Sequence, residues 1–406
     1  MLTKVTVKNF KSLRSVTLDL GQRNVLVGAN MSGKSNILDI FRFVYDMTFA
    51  RQPGSSALPT AIFLRGGFDE LYWKGGEDRA ILMGSQERTI LIALSGKDGV
   101  DGTQWLWDYE VAIQGVTAGG FFRVSSEQLH VRKGEPTSPR VPLSRIDGAS
   151  RYFLDVSGRD LGPTSDPSRS MLEFEIPGWL GNLLRTTIAS WRFYELVPSM
   201  MRNPNPMSAA LFLTEHGENL SQWLLNFQSR YGDSFTRIQS VVKDCLPQVT
   251  RLFTSPTQQS TVLLGSYEQH LARPVMLFQM SAGELAFVAF LSLIFGPPEL
   301  TGSLYCIEDL ENYLHPRLIE ALLEVLRQSQ EEWERKRQAS QIIMTTHSPL
   351  VVDKTKLEEI IFVERRQGAT VCSRPADRAN LRKLLEDGEV GLGDLVYSGA
   401  LSDVGE

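Results

Sequence analysis

Residues Gly28 to Ser35 read GANMSGKS, an instance of the pattern G-x-x-x-x-G-K-[ST]. The apolar run Val25–Val27 precedes them, and from Ser35 to Tyr45 apolar residues recur at helical spacing. A strand, a glycine-rich turn and a helix in that order make a phosphate loop. Gly28 and Gly33 let the backbone bend so that its N–H groups face phosphates, and Lys34 reaches the β- and γ-phosphates. Ser35 supplies a Mg²⁺ ligand, and the helix N-terminus favours negative charge. Asn30, Ser32 and Asn36 lie in or beside the loop and join the candidate nucleotide contacts. Met31 stands where such loops often carry glycine, which is tolerated if that position keeps a negative φ. The bland alternative, an ordinary glycine-rich turn, leaves the strand and helix flanks unexplained.

A second stretch, Ile307 to Pro316, reads IEDLENYLHP and follows the short apolar run SLYC. Acids at the end of a buried strand are costly unless a cation or a reacting group needs them. Beside a phosphate loop, one carboxylate holds Mg²⁺ through water and the next polarises the attacking water. Glu308 is then the metal-side acid and Asp309 the candidate base. A helix beginning at Pro316 would also welcome acids near its N-terminus. That accounts for Glu311 but not for acids directly on a strand end. Two further elements stand near: Ser281-Ala282-Gly283-Glu284 opens an apolar helix and by itself is a capping box. His347 follows the β run IIMTT, where a lone histidine is ordinarily structural.

In this order, the phosphate loop, SAGE, IEDLE..LHP and THSP resemble the ABC-type ATPase head of the SMC/RecF/OLD group. The opening VKNFKSLRSVTLDL, the GKSN of Gly33–Asn36, HGENLSQWLL at 216–225 and the close EDGEVGLGDLVYSGAL are similar too. The resemblance implies an α/β fold, a P-loop NTPase of ABC-ATPase type. Its parts would be a mixed parallel sheet core, an antiparallel β subdomain and a helical insertion lobe. It implies ATP and Mg²⁺ as cofactors and a homodimer, or higher homo-oligomer, closed head to tail around two ATP molecules. Ser281, Gly283 and Glu284 of one subunit would then meet the γ-phosphate held by the other. His347 would be the switch histidine and His315 would face the partner subunit. Gln52 is the candidate for the glutamine that reaches the metal after the first helix. The role implied is a nucleotide-gated ATPase in DNA repair or in defence against foreign DNA, with a protein effector as partner and DNA as a candidate ligand.

The sequence departs from the broader ABC pattern in places. Its acids run Glu308-Asp309 rather than Asp-Glu, and Leu310 replaces the usual proline. A base one methylene shorter sits roughly 1–1.5 Å farther from its water, and such a misplacement can cost about a hundredfold in rate. ATP binding with slow hydrolysis is therefore expected. An ATP-held scaffold with negligible turnover is the alternative, and a transporter's nucleotide-binding subunit is a third reading. OLD nucleases carry a Toprim domain after the histidine motif. Too little chain follows Pro349 for one, so no nuclease is expected within this chain.

The rest of the sequence bounds these readings. The chain has 406 residues, 42% hydrophobic and 22% charged, with a formal net charge of −5. That is ordinary globular composition and gives no bulk electrostatic sign of a nucleic-acid binder. Three scattered cysteines have no metal or disulfide spacing and suit a reducing compartment. The longest apolar run, 285–295, is about half of a membrane span, and the start lacks a signal-peptide core, so a cytoplasmic protein without a membrane partner is expected. Strands are expected at the start and in a meander from about 79 to 133. A long surface loop or a domain crossing is expected over 134–170, helices from about 171 to 245, and alternating strands and helices thereafter. The expected division is 1–150 and 276–406 as two parts of the nucleotide-binding domain, with 151–275 as the insertion lobe.

Overall fold

The strand β1 (Leu2–Phe10) alternates buried and exposed side chains, with Leu2, Val5, Val7 and Phe10 inward. Period-two alternation covers one face of a sheet and leaves the other wet. In the computed structural model, residues 1–52, 54–75, 87–100, 103–116, 121–134, 140–146, 149–153, 166–296, 302–335, 340–375 and 391–393 are described. The expected strand at 80–85 and most of the closing motif lie outside them. The described chain divides into two compact units, Met1–Trp191 with Glu358–Arg378, and Arg192–Leu357 with Ala379–Glu406.

In the first unit β1 pairs antiparallel with β2 (Leu13–Asp19), and both belong to a seven-stranded sheet. The others are β4 (Glu87–Val100), β5 (Thr103–Val116), β6 (Phe122–Lys133), β7 (Arg140–Ile146) and β8 (Ala149–Phe153), in the order β2-β1-β4-β5-β6-β7-β8. The meander thus runs past 133: residues 140–153 carry two strands where a loop was expected, because β7 adds to the edge of β6. A buried carboxylate ties this sheet to the segment that follows. Glu127 on β6, fully buried, accepts hydrogen bonds from the Tyr109 hydroxyl (2.8 Å), Ser170 Oγ (2.7 Å) and the Met171 N–H (2.9 Å).

The same unit holds β3 (Arg23–Val27), fully apolar from Val25, and α1 (Lys34–Thr48). α1 buries Ile37, Ile40, Phe41, Val44 and Met47; Phe43 meets Phe10 at 5.5 Å between ring centroids, and Phe41 meets Trp191 edge-on at 6.1 Å. α2 (Ala57–Phe63) and the short α3 (Phe68–Leu71) follow, and between them Arg65 forks onto Asp39 of α1 at 2.6 Å and reaches Asp46 at 3.0 Å. β3 pairs in parallel with β16 (Ile360–Arg366), and β17 (Ala369–Ser373) folds back antiparallel on β16.

The second unit centres on α8 (Ala282–Ile294), whose side chains from Leu285 to Ile294 are all buried. A helix apolar all round belongs in a core. Beside it lie β14 (Leu304–Ile307) and β15 (Gln341–Thr346), fully buried and paired in parallel, as their unbroken apolar runs predict. α9 (Pro316–Arg335) starts at the proline, as expected, and α10 (Pro349–Asp353) is a short helix after the histidine motif. α6 (Leu220–Arg230) and α7 (Gly232–Cys245) are the expected helices; α4 (Gly181–Ala189), in the first unit, and α5 (Pro198–Met201) precede them. They are joined by strands β10 (Asn205–Pro206), β11 (Val249–Pro256), β12 (Thr261–Glu268) and β13 (Val275–Met276), which form a small antiparallel sheet. β9 (Trp191–Tyr194) spans the division between units, and its Tyr194 carbonyl accepts from the Glu308 N–H at 2.9 Å.

Candidate functional site

The first unit carries the phosphate loop. It leaves β3 at Val27 and enters α1 at Lys34, as the motif requires. Both glycines are needed. A Cβ on Gly28 would lie 2.0 Å from the Val363 carbonyl, and one on Gly33 would lie 2.0 Å from Thr370 Oγ1, with φ at +110° besides. Lys34 is buried, and its ammonium donates to the Gly28 and Ala29 carbonyls at 2.7 and 3.1 Å, curled over the loop. Ser35 is exposed on the first turn of α1, and Asn30 is exposed at the loop's tip. Ser32 Oγ is buried with no hydrogen-bond partner among the described residues. A glycine-walled cradle, a lysine held over it and an orphaned hydroxyl fit a polyphosphate.

Two expectations are corrected here. Met31 does not keep a negative φ: it stands at +65°, 82% exposed, with its carbonyl accepting from Arg365 Nη1 at 3.3 Å. An unbranched side chain pointing into solvent makes this left-handed turn tolerable. Gln52 does not reach the metal position. It is exposed beyond the far end of α1, whose fifteen residues span on the order of 20 Å from the phosphate loop. There it lines a cavity of about 490 Å³ with Arg169, Glu173 and Arg185. The chain that returns toward the loop end is the turn after α2, where Arg65 meets Asp39. Asn36 is near the loop, but its amide donates to Ser12 Oγ at 2.7 Å.

The second unit carries the acids, the histidine and the SAGE segment. Glu308 and Asp309 follow β14 directly, and Asp309 takes φ +45° as the chain turns off the strand. Its N–H donates to Thr345 Oγ1 at 2.8 Å, and Thr345 Oγ1 donates back to Asp309 Oδ1 at 3.0 Å. His347 Nε2 lies 3.7 Å from Asp309 Oδ1, and the His347 N–H donates to Glu311 Oε1. Both side chains stay partly exposed, at 27% and 34%. Ser281 is the exposed N-cap of α8 and closes a reciprocal capping box: its N–H donates to Glu284 Oε2 (2.6 Å), and the Glu284 N–H donates to Ser281 Oγ (3.1 Å). The carboxylate of Glu284 is therefore committed to its own helix. A Cβ on Gly283 would lie 2.9 Å from the Tyr313 carbonyl, so the SAGE turn and the LENYLHP segment touch. His315 is exposed, and its Nδ1 accepts from the Arg317 N–H at 3.3 Å at the head of α9.

Residues outside the sequence expectations take part in both halves. Thr345 and Glu311 hold Asp309 and His347; Ser12, Thr370 and Arg365 hold the phosphate loop. The strand register offered a signal for Thr345, since β14 and β15 run parallel with Ile307 opposite Met344. Nothing local signals Ser12 or Thr370, which lie 358 positions apart. Among the described residues no three or more His, Cys, Asp or Glu side chains gather to hold a metal by themselves. A Mg²⁺ held by one or two protein oxygens, water and phosphates asks for no such cage.

A glycine-walled phosphate loop between strand and helix, a strand ending in acids and a capped SAGE helix define a P-loop ATPase of the ABC type. Residues 151–353 match the family model described as "AAA domain, putative AbiEii toxin, Type IV TA system", and residues 1–81 match one described as "AAA ATPase domain". The chain belongs to this AAA-domain family, and its fold is that of an ABC-type ATPase head. Solved structures agree on the fold. An Smc head bound to the C-terminal winged-helix domain of ScpA is 15% identical, with 93% of this chain and 99% of that chain covered and a TM-score of 0.55. An Smc head with an extended coiled coil, bound to the C-terminal domain of ScpA and derived from Pyrococcus furiosus, is 14% identical, with coverages of 95% and 98% and a TM-score of 0.52. No curated protein matches the chain in sequence. No helix among the described residues is long and apolar enough to cross a membrane.

Proposed function

We propose that this ATPase is a nucleotide-gated switch that dimerises around ATP, hydrolyses it slowly with Mg²⁺, and works with a protein effector in DNA repair or defence against foreign DNA. The observation that carries the reading is the phosphate loop, whose glycines, buried lysine and orphaned Ser32 hydroxyl fit a triphosphate. Gly28, Asn30, Ser32, Gly33 and Lys34 bind the phosphates, and Ser35 and Glu308 serve the Mg²⁺, which neutralises charge on the transferred phosphoryl group. Asp309 orients the attacking water, and His347, held against it, responds to the γ-phosphate. Ser281 and Gly283, at the exposed head of α8, are presented to the nucleotide of a second copy. The Smc heads solved with ScpA domains support a protein partner, and the toxin–antitoxin wording of the family description supports defence over repair.

One observation favours the alternative, an ATP-held scaffold. Asp309 Oδ1 already accepts from Thr345, and the side chain is the shorter carboxylate. Steady-state ATPase of the purified protein, with and without linear DNA, separates the two beside Lys34→Ala and Asp309→Asn. Turnover lost in both variants supports the switch, and stimulation by DNA adds a nucleic-acid ligand. Tight ATP binding with no turnover above the variants supports the scaffold.

A further inference from the structure

Three polar side chains in the first unit form one directed chain of hydrogen bonds ending on a carbonyl of the phosphate loop. Thr370 Oγ1 donates to the Ser32 carbonyl at 2.8 Å. A hydroxyl has a single hydrogen to give, so in the 2.7 Å contact between Ser12 Oγ and Thr370 Oγ1 the serine must be the donor. Ser12 Oγ in turn accepts from Asn36 Nδ2 at 2.7 Å. The direction is therefore fixed throughout: Asn36 to Ser12, Ser12 to Thr370, Thr370 to the Ser32 carbonyl. The Thr370 N–H also donates to the Ser12 carbonyl at 2.8 Å, locking the two segments together. Ser12, Ser32 and Thr370 are 5%, 3% and 2% exposed, so water does not compete for these bonds.

The chain matters for what lies across the peptide plane. In a trans peptide the C=O of one residue and the N–H of the next point in opposite directions. Holding the Ser32 carbonyl toward Thr370 turns the Gly33 N–H the other way, off the β17 side of the loop. The same hairpin holds the preceding carbonyl, since Arg365 Nη1 reaches Met31 O at 3.3 Å. The close approach of Thr370 explains why position 33 tolerates no Cβ.

Taking Gly28–Ser35 as the nucleotide's phosphate loop, we infer that Ser12 and Thr370 are positioning residues that aim the loop's N–H groups at the phosphates, with Asn36 orienting the chain. They touch no nucleotide themselves. Thr370→Val keeps the shape and removes the donor, leaving the Ser32 carbonyl free to rotate.

Binding of a fluorescent ATP analogue and of Mg-ATP by titration, alongside thermal melts, tests this. Thr370→Val is expected to bind about tenfold more weakly, the worth of one buried hydrogen bond, and its nucleotide-free form to melt a few degrees lower, because the buried Ser12 hydroxyl and Ser32 carbonyl lose a partner. Thr370→Ser restores binding to within about twofold, because the hydroxyl is what counts. Ser12→Ala with Thr370→Val loses little beyond Thr370→Val alone, as members of one chain are not additive. Wild-type binding by Thr370→Val, or equal weakness of Thr370→Ser, overturns the inference. Should Thr370→Val fail to fold, Ser12→Ala decides: a few-fold loss supports it and wild-type affinity overturns it. Lys34→Ala separates the levels. If wild type binds no better than Lys34→Ala, the phosphate-loop reading fails and the inference falls with it. If Lys34→Ala loses ATP and Thr370→Val does not, the inference alone fails.

Discussion

Glu127 and Asp309 show how much the surroundings of a carboxylate decide. Glu127 is fully buried with three donor residues aimed at it, so its work is to hold the 166–173 segment against the sheet. Glu127→Ala strands those donors in a dry site, and stability is expected to fall by about 2–4 kcal/mol in urea denaturation. Asp309, partly exposed and shared with Thr345 and His347, is the carboxylate to which the proposed switch gives a chemical role. The sequence distinguishes the two poorly, since a carboxylate's partners come from other strands. Asp309 was legible because it ends an apolar strand; Glu127 was not, because it sits mid-strand among ordinary polar residues. Cysteine follows the same logic. Burial pushes the Cys372 thiol up to about 12 by penalising its thiolate. At pH 8 only about one thiol in ten thousand is then ionised, so iodoacetamide should label native Cys372 over a hundredfold more slowly than in urea. Labelling at the unfolded rate would contradict that burial.

Among the elements, periodicity carried most of what could be read. α1, α6, α7 and α9 begin and end close to where apolar spacing and Pro316 place them. β14 and β15 announce themselves as unbroken apolar runs. β7 and β8 do not, because short strands rich in Pro, Ser and Arg look like loop until they have a neighbour to pair with. The error over Gln52 is also one of element geometry. Counting residues past a helix ignores the fact that the helix is a rod, and α1 carries whatever follows it away from its own N-terminus. At the head of α8, the capping box predicted from Ser281 and Glu284 forms in full. Ser281→Ala is expected to cost about 1 kcal/mol, seen as a lower melting temperature. If Ser281 also serves a second subunit's nucleotide, the same variant lowers turnover further than its stability loss explains. A variant that melts lower but turns over ATP normally leaves the serine with capping alone.

For the whole molecule, the overall class was legible because four motifs in fixed order constrain it far more than any one of them. How the loop is held in place was not, because that depends on segments at opposite ends of the chain. Ligand linkage offers a test at this scale. At a hundred times its Kd, ATP adds about 2.7 kcal/mol to the stability of whatever binds it. That is expected to appear as a melting shift of roughly 3 °C for a chain of this size, absent in Lys34→Ala. If, as proposed, a closed pair reopens only on hydrolysis, light scattering of Asp309→Asn with Mg-ATP should report twice the monomer mass. A monomer at saturating ATP would argue against closure around nucleotide.

The pairing of β3 with β16 and the contact of Thr370 with the loop carry a consequence for biosynthesis. The loop's own residues leave the ribosome more than 300 residues ahead of β16 and β17, the strands that shape it. A nascent chain stopped short of residue 370 thus contains the letters of a nucleotide site without its form. Competence to bind waits for β16 and β17, so a chain cut short before them by damage or a premature stop is left without a shaped phosphate loop.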